Sequence, residues 1–245
     1  MTLSIVANLI IDIGNTAVKA AFSQGTVVGN VHRYYGKEVL DFILSIAAEQ
    51  KPQIIAISTV RKFDDNFYCR LEGECEKLVV LNDKTEIPLV NRYNTPSTLG
   101  PDRLSSAFAA KELFPGRDIL IFDFGTALTI NFVASSGEFL GGNISLGLKT
   151  RYVALNLYTQ QLPLLETPAE VEAIGASTND AINSGVVLGA IFEVEGYIRQ
   201  YPNHIHIFTG GDAIYFAEKM KSPIFVVYNL VLMGLARVAD YYEKK

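Results

Sequence analysis

The sequence has 245 residues, of which 49% are hydrophobic and 19% charged, so it can bury a core as one large or two small domains and does not read as disordered. A net charge of −5 without any lysine- and arginine-rich run argues against nucleic-acid partners, and two cysteines without ligand spacing, Cys69 and Cys75, exclude a zinc cluster and a disulfide framework. The apolar N-terminal stretch is broken by Asp12 and lacks a charged leader, so the expectation is a cytoplasmic protein with no membrane span.

Residues 5–13, 17–24 and 27–34 read as an antiparallel meander with Gly25 and Gly29 at its bends. Between 37 and 49, Val39, Leu40, Ile43, Leu44 and Ala47 recur at helical spacing. Pro52 separates that helix from a continuous apolar strand at 53–58, which suits a central parallel strand. A helix over 62–75 and a strand over 77–81 follow. The segment 82–100 is polar, rich in turn residues and too long for a plain connector, which marks it as a functional loop. Pro101 suits the first position of a helix reaching about Leu113, with Asp102 in its first turn, and Pro115-Gly116 then divides the chain.

The remainder repeats the plan. Strands are expected at 118–123, 127–134 and 138–141, then a glycine-rich GGNISLG at 141–147, a helix through about Thr159 and a loop at 160–169. A long helix at 179–200, a strand at 204–208 ending in TGGD, a helix at 212–220, a strand at 223–227 and a terminal helix at 229–243 complete it. Strand-strand-strand-helix-strand-helix-strand therefore occurs twice, in halves 1–115 and 116–245. This order predicts a duplicated α/β fold with a cleft between two similar halves.

Each half opens with an aspartate at a strand end followed by a glycine turn and a hydroxyl: Asp12, Gly14, Asn15 and Thr16, then Asp123, Gly125 and Thr126. Such turns supply backbone donors for phosphate oxygens, while the carboxylates can orient a metal. Lys19 adds a positive charge near the first turn, or is simply solvated. No phosphate-binding GxxxxGK[ST] loop, protein-kinase motif set or GxSxG elbow is present, and His32, His204 and His206 lack metal-ligand spacing. The sequence GPDR at 100–103 is sharper. Asp102 is placed to accept a proton from a substrate hydroxyl, and Arg103 to bind a carboxylate or a developing phosphate charge. From spacing alone, the same residues read equally as a helix cap and a surface arginine.

Together DIGNT (12–16), YNTP (93–96), GPDR (100–103), DFGTALT (123–129) and GGNISLG (141–147) resemble type III pantothenate kinases, of the acetate and sugar kinase/Hsc70/actin superfamily. The resemblance implies a duplicated ribonuclease H-like (actin-like ATPase) fold. It also implies ATP-dependent phosphorylation of pantothenate to 4'-phosphopantothenate, the first step of coenzyme A synthesis, with Mg²⁺, K⁺ or NH₄⁺ and a homodimer. It makes Asp102 the proton acceptor, and assigns Tyr93, Gly100, Pro101, Asp102, Arg103 and Thr178 to pantothenate. ATP is assigned to Asp12, Ile13, Gly14, Asn15, Thr16, Ala17, Val18, Lys19 and Thr126. Asp123 resembles the monovalent-cation ligand, and Asp12 is the candidate for Mg²⁺ or its water shell. Glu193 and Glu195 lie on a helix that is a candidate dimer face or a solvated surface. Two departures bear on loop rigidity: Thr95 stands where asparagine usually precedes Pro96, and Leu146 where the glycine loop usually carries proline. The alternatives are a kinase for another small hydroxyl substrate and a silent nucleotide-binding regulator.

Overall fold

The computed structural model describes residues 7–245, so the expected start of the first strand at residue 5 lies outside the described residues. The chain forms two compact units. One comprises residues up to Pro115 together with Gly137–Leu140 and Asn229–Lys245, the other Gly116–Ser136 and Gly141–Tyr228.

In the first unit, β1 (Asn8–Ile13) is buried along its whole length. It pairs antiparallel with β2 (Val18–Gln24) and parallel with β5 (Ile54–Thr59), which pairs in turn with β6 (Lys77–Val80). Two-sided burial explains why β1 and β5 read as continuous apolar runs rather than alternating ones. The expected single strand 27–34 is instead two pieces, β3 (Val27–Val28) and β4 (His32–Tyr34), both paired with β2. Gly29 breaks it: its N–H donates to the Phe22 carbonyl at 2.8 Å, and a Cβ there would stand 3.0 Å from that oxygen.

Side chains alternate across a strand, so Leu9, Ile11 and Ile13 face one side of the sheet, where α1 (Val39–Ala47) and α2 (Asp65–Glu72) contribute Ile43, Ile46, Phe67 and Leu71 to a core. Asp12 has the opposite parity. On that side lie α3 (Pro101–Leu113) and α7 (Leu230–Glu243), which pack on each other and on β5, with α7 also on β1. Sequence order puts α7 in the second half, but its buried Leu230, Leu232, Leu235 and Val238 belong to the first unit. The Ser105 hydroxyl donates to the Val231 carbonyl at 2.8 Å, and a Cβ on Gly234 would lie 2.0 Å from the Ser105 carbonyl oxygen. Gly234→Val should therefore force the helices apart and lower stability by about 1–3 kcal/mol, read as a fall in thermal midpoint. An unchanged midpoint would show that this contact yields freely.

The second unit repeats the grammar with β8 (Ile119–Phe124) antiparallel to β9 (Ala127–Val133) and parallel to β11 (Ile205–Gly210), which pairs with β12 (Phe225–Val226). The helices α4 (Leu148–Tyr158), α5 (Thr178–Gln200) and α6 (Ala213–Lys219) supply Tyr152, Val187, Val194 and Phe216 to its core. Ser177 caps α5 by accepting from the Asp180 N–H at 3.2 Å. Although α5 is long and apolar enough to cross a membrane, Ile182, Val186, Val187, Ala190, Ile191, Val194 and Ile198 bury one face of it in this core. The loop before α5 is tied down where Tyr215 donates to the Pro168 carbonyl at 2.9 Å and Lys219 to that of Ala169.

GGNISLG, expected as a loop after a short strand, instead continues β10 (Glu138–Leu146). A Cβ at Gly142 would stand 1.9 Å from the Ile130 carbonyl oxygen, so that glycine answers to close packing on the neighbouring strand. At its start, β10 pairs parallel with β7 (Val90–Asn91), a strand inside the expected 82–100 loop.

Candidate active site

The first hairpin closes with Ile13 opposite Val18, leaving Gly14, Asn15, Thr16 and Ala17 as its turn. The Gly14 N–H donates to the Ala17 carbonyl at 3.0 Å, and Asn15 and Thr16 are exposed. Ile13 and Val18 are fully buried in the α1–α2 core, so any contribution they make to a ligand is through backbone. Asp12, 8% exposed, sits opposite Lys19 on β2 and beside Ser58 on β5. The Lys19 ammonium lies 3.8 Å from the Asp12 carboxylate, so this lysine is held at the strand end.

Sequence reading missed Arg61. Its Nε donates to the Gly14 carbonyl at 2.7 Å and its Nη2 to the Asn15 carbonyl at 3.0 Å. The signal was indirect. Ile13 and Thr59 are partners in parallel strands, so a residue just past β5 must fall beside the first turn.

On the same face as Asp12, α3 begins with Gly100 as its N-cap and Pro101 at its first position. The Asp102 side chain turns back on its own helix start and accepts from the Arg103 N–H at 2.8 Å. Part of the residue is exposed, yet its carboxylate is withdrawn from water, and desolvation pushes its pKa up. The Arg103 N–H and the positive charges of Arg103 and Lys19 oppose that shift. A Cβ at Gly100 would stand 2.4 Å from the Asp102 carboxylate oxygen, so glycine leaves the carboxylate its place. On the expectation that Asp102 is the proton acceptor of an ATP-dependent kinase, Gly100→Ala should lower kcat roughly tenfold or more while sparing ATP affinity, because small misplacements of a reacting group are costly. Wild-type kcat in this variant would show that the carboxylate can shift without consequence.

The structure disposes of the surface-arginine alternative. Arg103 is 6% exposed, and its guanidinium carbon stands 5.6 Å from the Tyr93 ring centroid and 5.8 Å from that of Phe139. Tyr93 follows β7 and Phe139 lies at the start of β10, so the short pairing of those strands brings the rings together, 6.3 Å apart. Phe139 was also missed in the sequence, where it reads as one more apolar strand position. At the turn between Tyr93 and Gly100, the Thr98 hydroxyl lies 2.8 Å from that of Thr95, closing a single 3₁₀ turn over Pro96–Thr98.

In the second unit, Phe124 opposite Leu128 leaves a turn one residue shorter than the first. The Gly125 N–H donates to the Ala127 carbonyl at 3.1 Å. The Thr126 carbonyl accepts from the Gly147 N–H at 3.1 Å and the Thr150 hydroxyl at 2.6 Å. Asp123, one residue before the end of β8, has its carboxylate near Gly210, where φ is +94° and a Cβ would stand 2.6 Å from that carboxylate. Only glycine suits that position on both counts. Asp212 follows, its carboxyl pushed up by burial. Thr178 is exposed at the first position of α5. Glu193 pairs with Arg151, and Glu195 with Arg199 at 3.2 Å.

The sequence profile of one family, type III pantothenate kinase, matches residues 8–200. The chain belongs to this family. A type III pantothenate kinase from Phocaeicola vulgatus is 39% identical over 246 residues, covering 97% of this chain and 99% of its own. Among solved structures, a Campylobacter jejuni chain described as a Baf family transcriptional activator superposes with a TM-score of 0.64 at 20% identity, over 97% of this chain and all of its own. A polyphosphate/ATP-glucomannokinase from Arthrobacter gives 0.51 at 13% identity, over 97% and 99%. These likenesses show the fold alone, one shared with both of those chains and built here on two sheets. The family match spans Asp12, Tyr93, Asp102, Arg103, Asp123, Thr126 and Thr178, whereas β11, α6, β12 and α7 lie beyond it.

Proposed function

We propose that this member of the family transfers the γ-phosphoryl group of ATP to the terminal hydroxyl of pantothenate, forming 4'-phosphopantothenate and ADP in the cytoplasm. The observation that carries the reading is the juxtaposition at the start of α3. A carboxylate with a raised pKa adjoins a buried guanidinium held against Tyr93. Asp102 accepts the hydroxyl proton as that oxygen attacks phosphorus, and its raised pKa makes it a better acceptor than an ordinary aspartate. Arg103 binds the pantothenate carboxylate as a fixed fork, and Tyr93 packs beside it, with Gly100 and Pro101 also assigned to this substrate.

Gly14, Asn15, Thr16 and Lys19 are assigned to the ATP phosphates. Among the described residues no three His, Cys, Asp or Glu side chains gather as a metal cage. Mg²⁺ is commonly held by one or two carboxylates together with phosphate oxygens and water, and the Asp12 carboxylate at the end of the first hairpin strand would hold it or its water shell. Mg²⁺ would supply charge neutralisation on the phosphates. Asp123 is assigned to a monovalent cation such as K⁺ or NH₄⁺, on the family resemblance. The hairpin followed by parallel strands in each sheet supports a ribonuclease H-like reading of both halves.

A homodimer is supported by α5. Gly185, Gly189, Phe192 and Gly196 form one stripe at i, i+4, i+7 and i+11, with Phe192 60% exposed. A Cβ at Gly185 or Gly196 would meet nothing within 4 Å, so this chain's own packing does not require glycine there, although glycine in a helix costs about 1 kcal/mol relative to alanine. Close approach of a second copy accounts for it. Glu193, by contrast, is engaged by Arg151 within the chain.

The test is a panel of small hydroxyl substrates with ATP, run with and without K⁺ or NH₄⁺, reading ADP and phosphorylated product. Product from pantothenate and cation dependence are expected. ATP binding without turnover on any substrate would favour a silent regulator, and turnover on another alcohol alone would reassign the substrate.

A further inference from the structure

We infer that Arg61 is a positioning residue for the nucleotide, acting through the peptide groups of the first turn; the inference rests on the assignment of that turn to ATP. A trans peptide is planar, so the C=O of one residue and the N–H of the next point in opposite directions. Arg61 draws the Gly14 carbonyl to its Nε at 2.7 Å and the Asn15 carbonyl to its Nη2 at 3.0 Å. Those two bonds orient both peptide planes and aim the N–H groups of Asn15 and Thr16 away from Arg61. A guanidinium presents its donors as a rigid fork, which lets one side chain set two consecutive peptides at once.

The arginine is itself anchored. The Thr59 hydroxyl accepts from the Arg61 N–H at 3.1 Å and donates to the Arg61 carbonyl at 3.0 Å, while the Val60 N–H donates to the Ile13 carbonyl at 3.2 Å. The corner after β5 is thus locked to the end of β1, the strand that carries the turn. The second turn uses the same device with other donors, its Thr126 carbonyl being held by the Gly147 N–H and the Thr150 hydroxyl. In both turns an external donor fixes the carbonyl side, leaving the amide side set before any anion arrives. Such preorganisation strengthens binding because the turn need not be ordered at the moment of association.

The experiment compares wild type, Arg61→Ala and Arg61→Lys by ATP titration calorimetry, by the KM for pantothenate at saturating ATP, and by amide NMR of Asn15 and Thr16. Both variants are expected to bind ATP at least about tenfold more weakly, with a wild-type pantothenate KM and smaller ATP-induced shifts at those two amides. Lysine keeps the charge but cannot bridge two carbonyls, so it separates fork geometry from attraction. ATP affinity at the wild-type level in either variant overturns the inference. If Arg61→Ala does not fold, the lysine variant alone decides. Wild-type protein that binds ATP yet leaves pantothenate unphosphorylated would sink the substrate assignment, while the loss in the variants would still support the role of Arg61.

Discussion

Asp102→Asn is expected to lower kcat by roughly 10²–10⁴-fold, the usual contribution of a positioned general base, with ATP affinity changed little. The substitution keeps size and hydrogen bonding to the Arg103 N–H but removes the proton-accepting charge. Steady-state turnover with pantothenate beside ATP titration makes the measurement, and near-normal turnover would remove Asp102 from the chemistry. Two further readouts follow from the raised pKa. The base must be ionised, so wild-type kcat/KM should rise with pH through a value above that of an ordinary aspartate. The sign for stability is opposite. Burial disfavours the charged form, so the contribution of this group is greatest at low pH and is lost as pH rises through the folded-state value. At neutral pH the asparagine variant should therefore be at least as stable as wild type, which separates a catalytic loss from a folding defect.

Arg103→Met should raise the KM for pantothenate by roughly 10- to 100-fold, the effect of losing a hydrogen-bonded charge pair, with a smaller change in kcat. Methionine retains much of the apolar stem that packs near Tyr93 and Phe139 while removing the fork. The control is the alcohol analogue of pantothenate, in which the carboxylate is replaced by CH₂OH. Wild type should discriminate strongly between the two, and the variant hardly at all. If the variant still prefers pantothenate, the carboxylate is bound elsewhere and Arg103 serves the transferring phosphoryl group, which a fall in kcat would display.

Much of this site was legible because local chemistry and tertiary role coincide. Gly100 and Pro101 announce a helix start, and Asp102 is where that start places it. The buried runs of β1 and β8 declare central strands, and the aspartate one residue before the end of each locates a turn. What escaped depends on pairing between distant segments. Arg61 acquires its role because β5 runs parallel to β1, and Phe139 because β10 meets a two-residue strand hidden in a polar loop. Gly142 looked like a break in β10, since a sequence cannot distinguish a glycine needed for a bend from one needed for close approach to Ile130. The helix at 230–243 carries no mark of which sheet it covers, and only packing against α3 decides that.

The placement of α7 sets a condition on how the protein is made. A chain emerging from the ribosome presents β1, β5 and α3 early, but the helix that covers them with Leu230, Leu232, Leu235 and Val238 comes more than a hundred residues later. At ordinary synthesis rates that interval is on the order of ten seconds, during which Ile10, Ile54 and Ala56 lack part of their cover. The first unit is begun first and finished last, and its half-built sheet is the surface through which a stalled or truncated chain would aggregate.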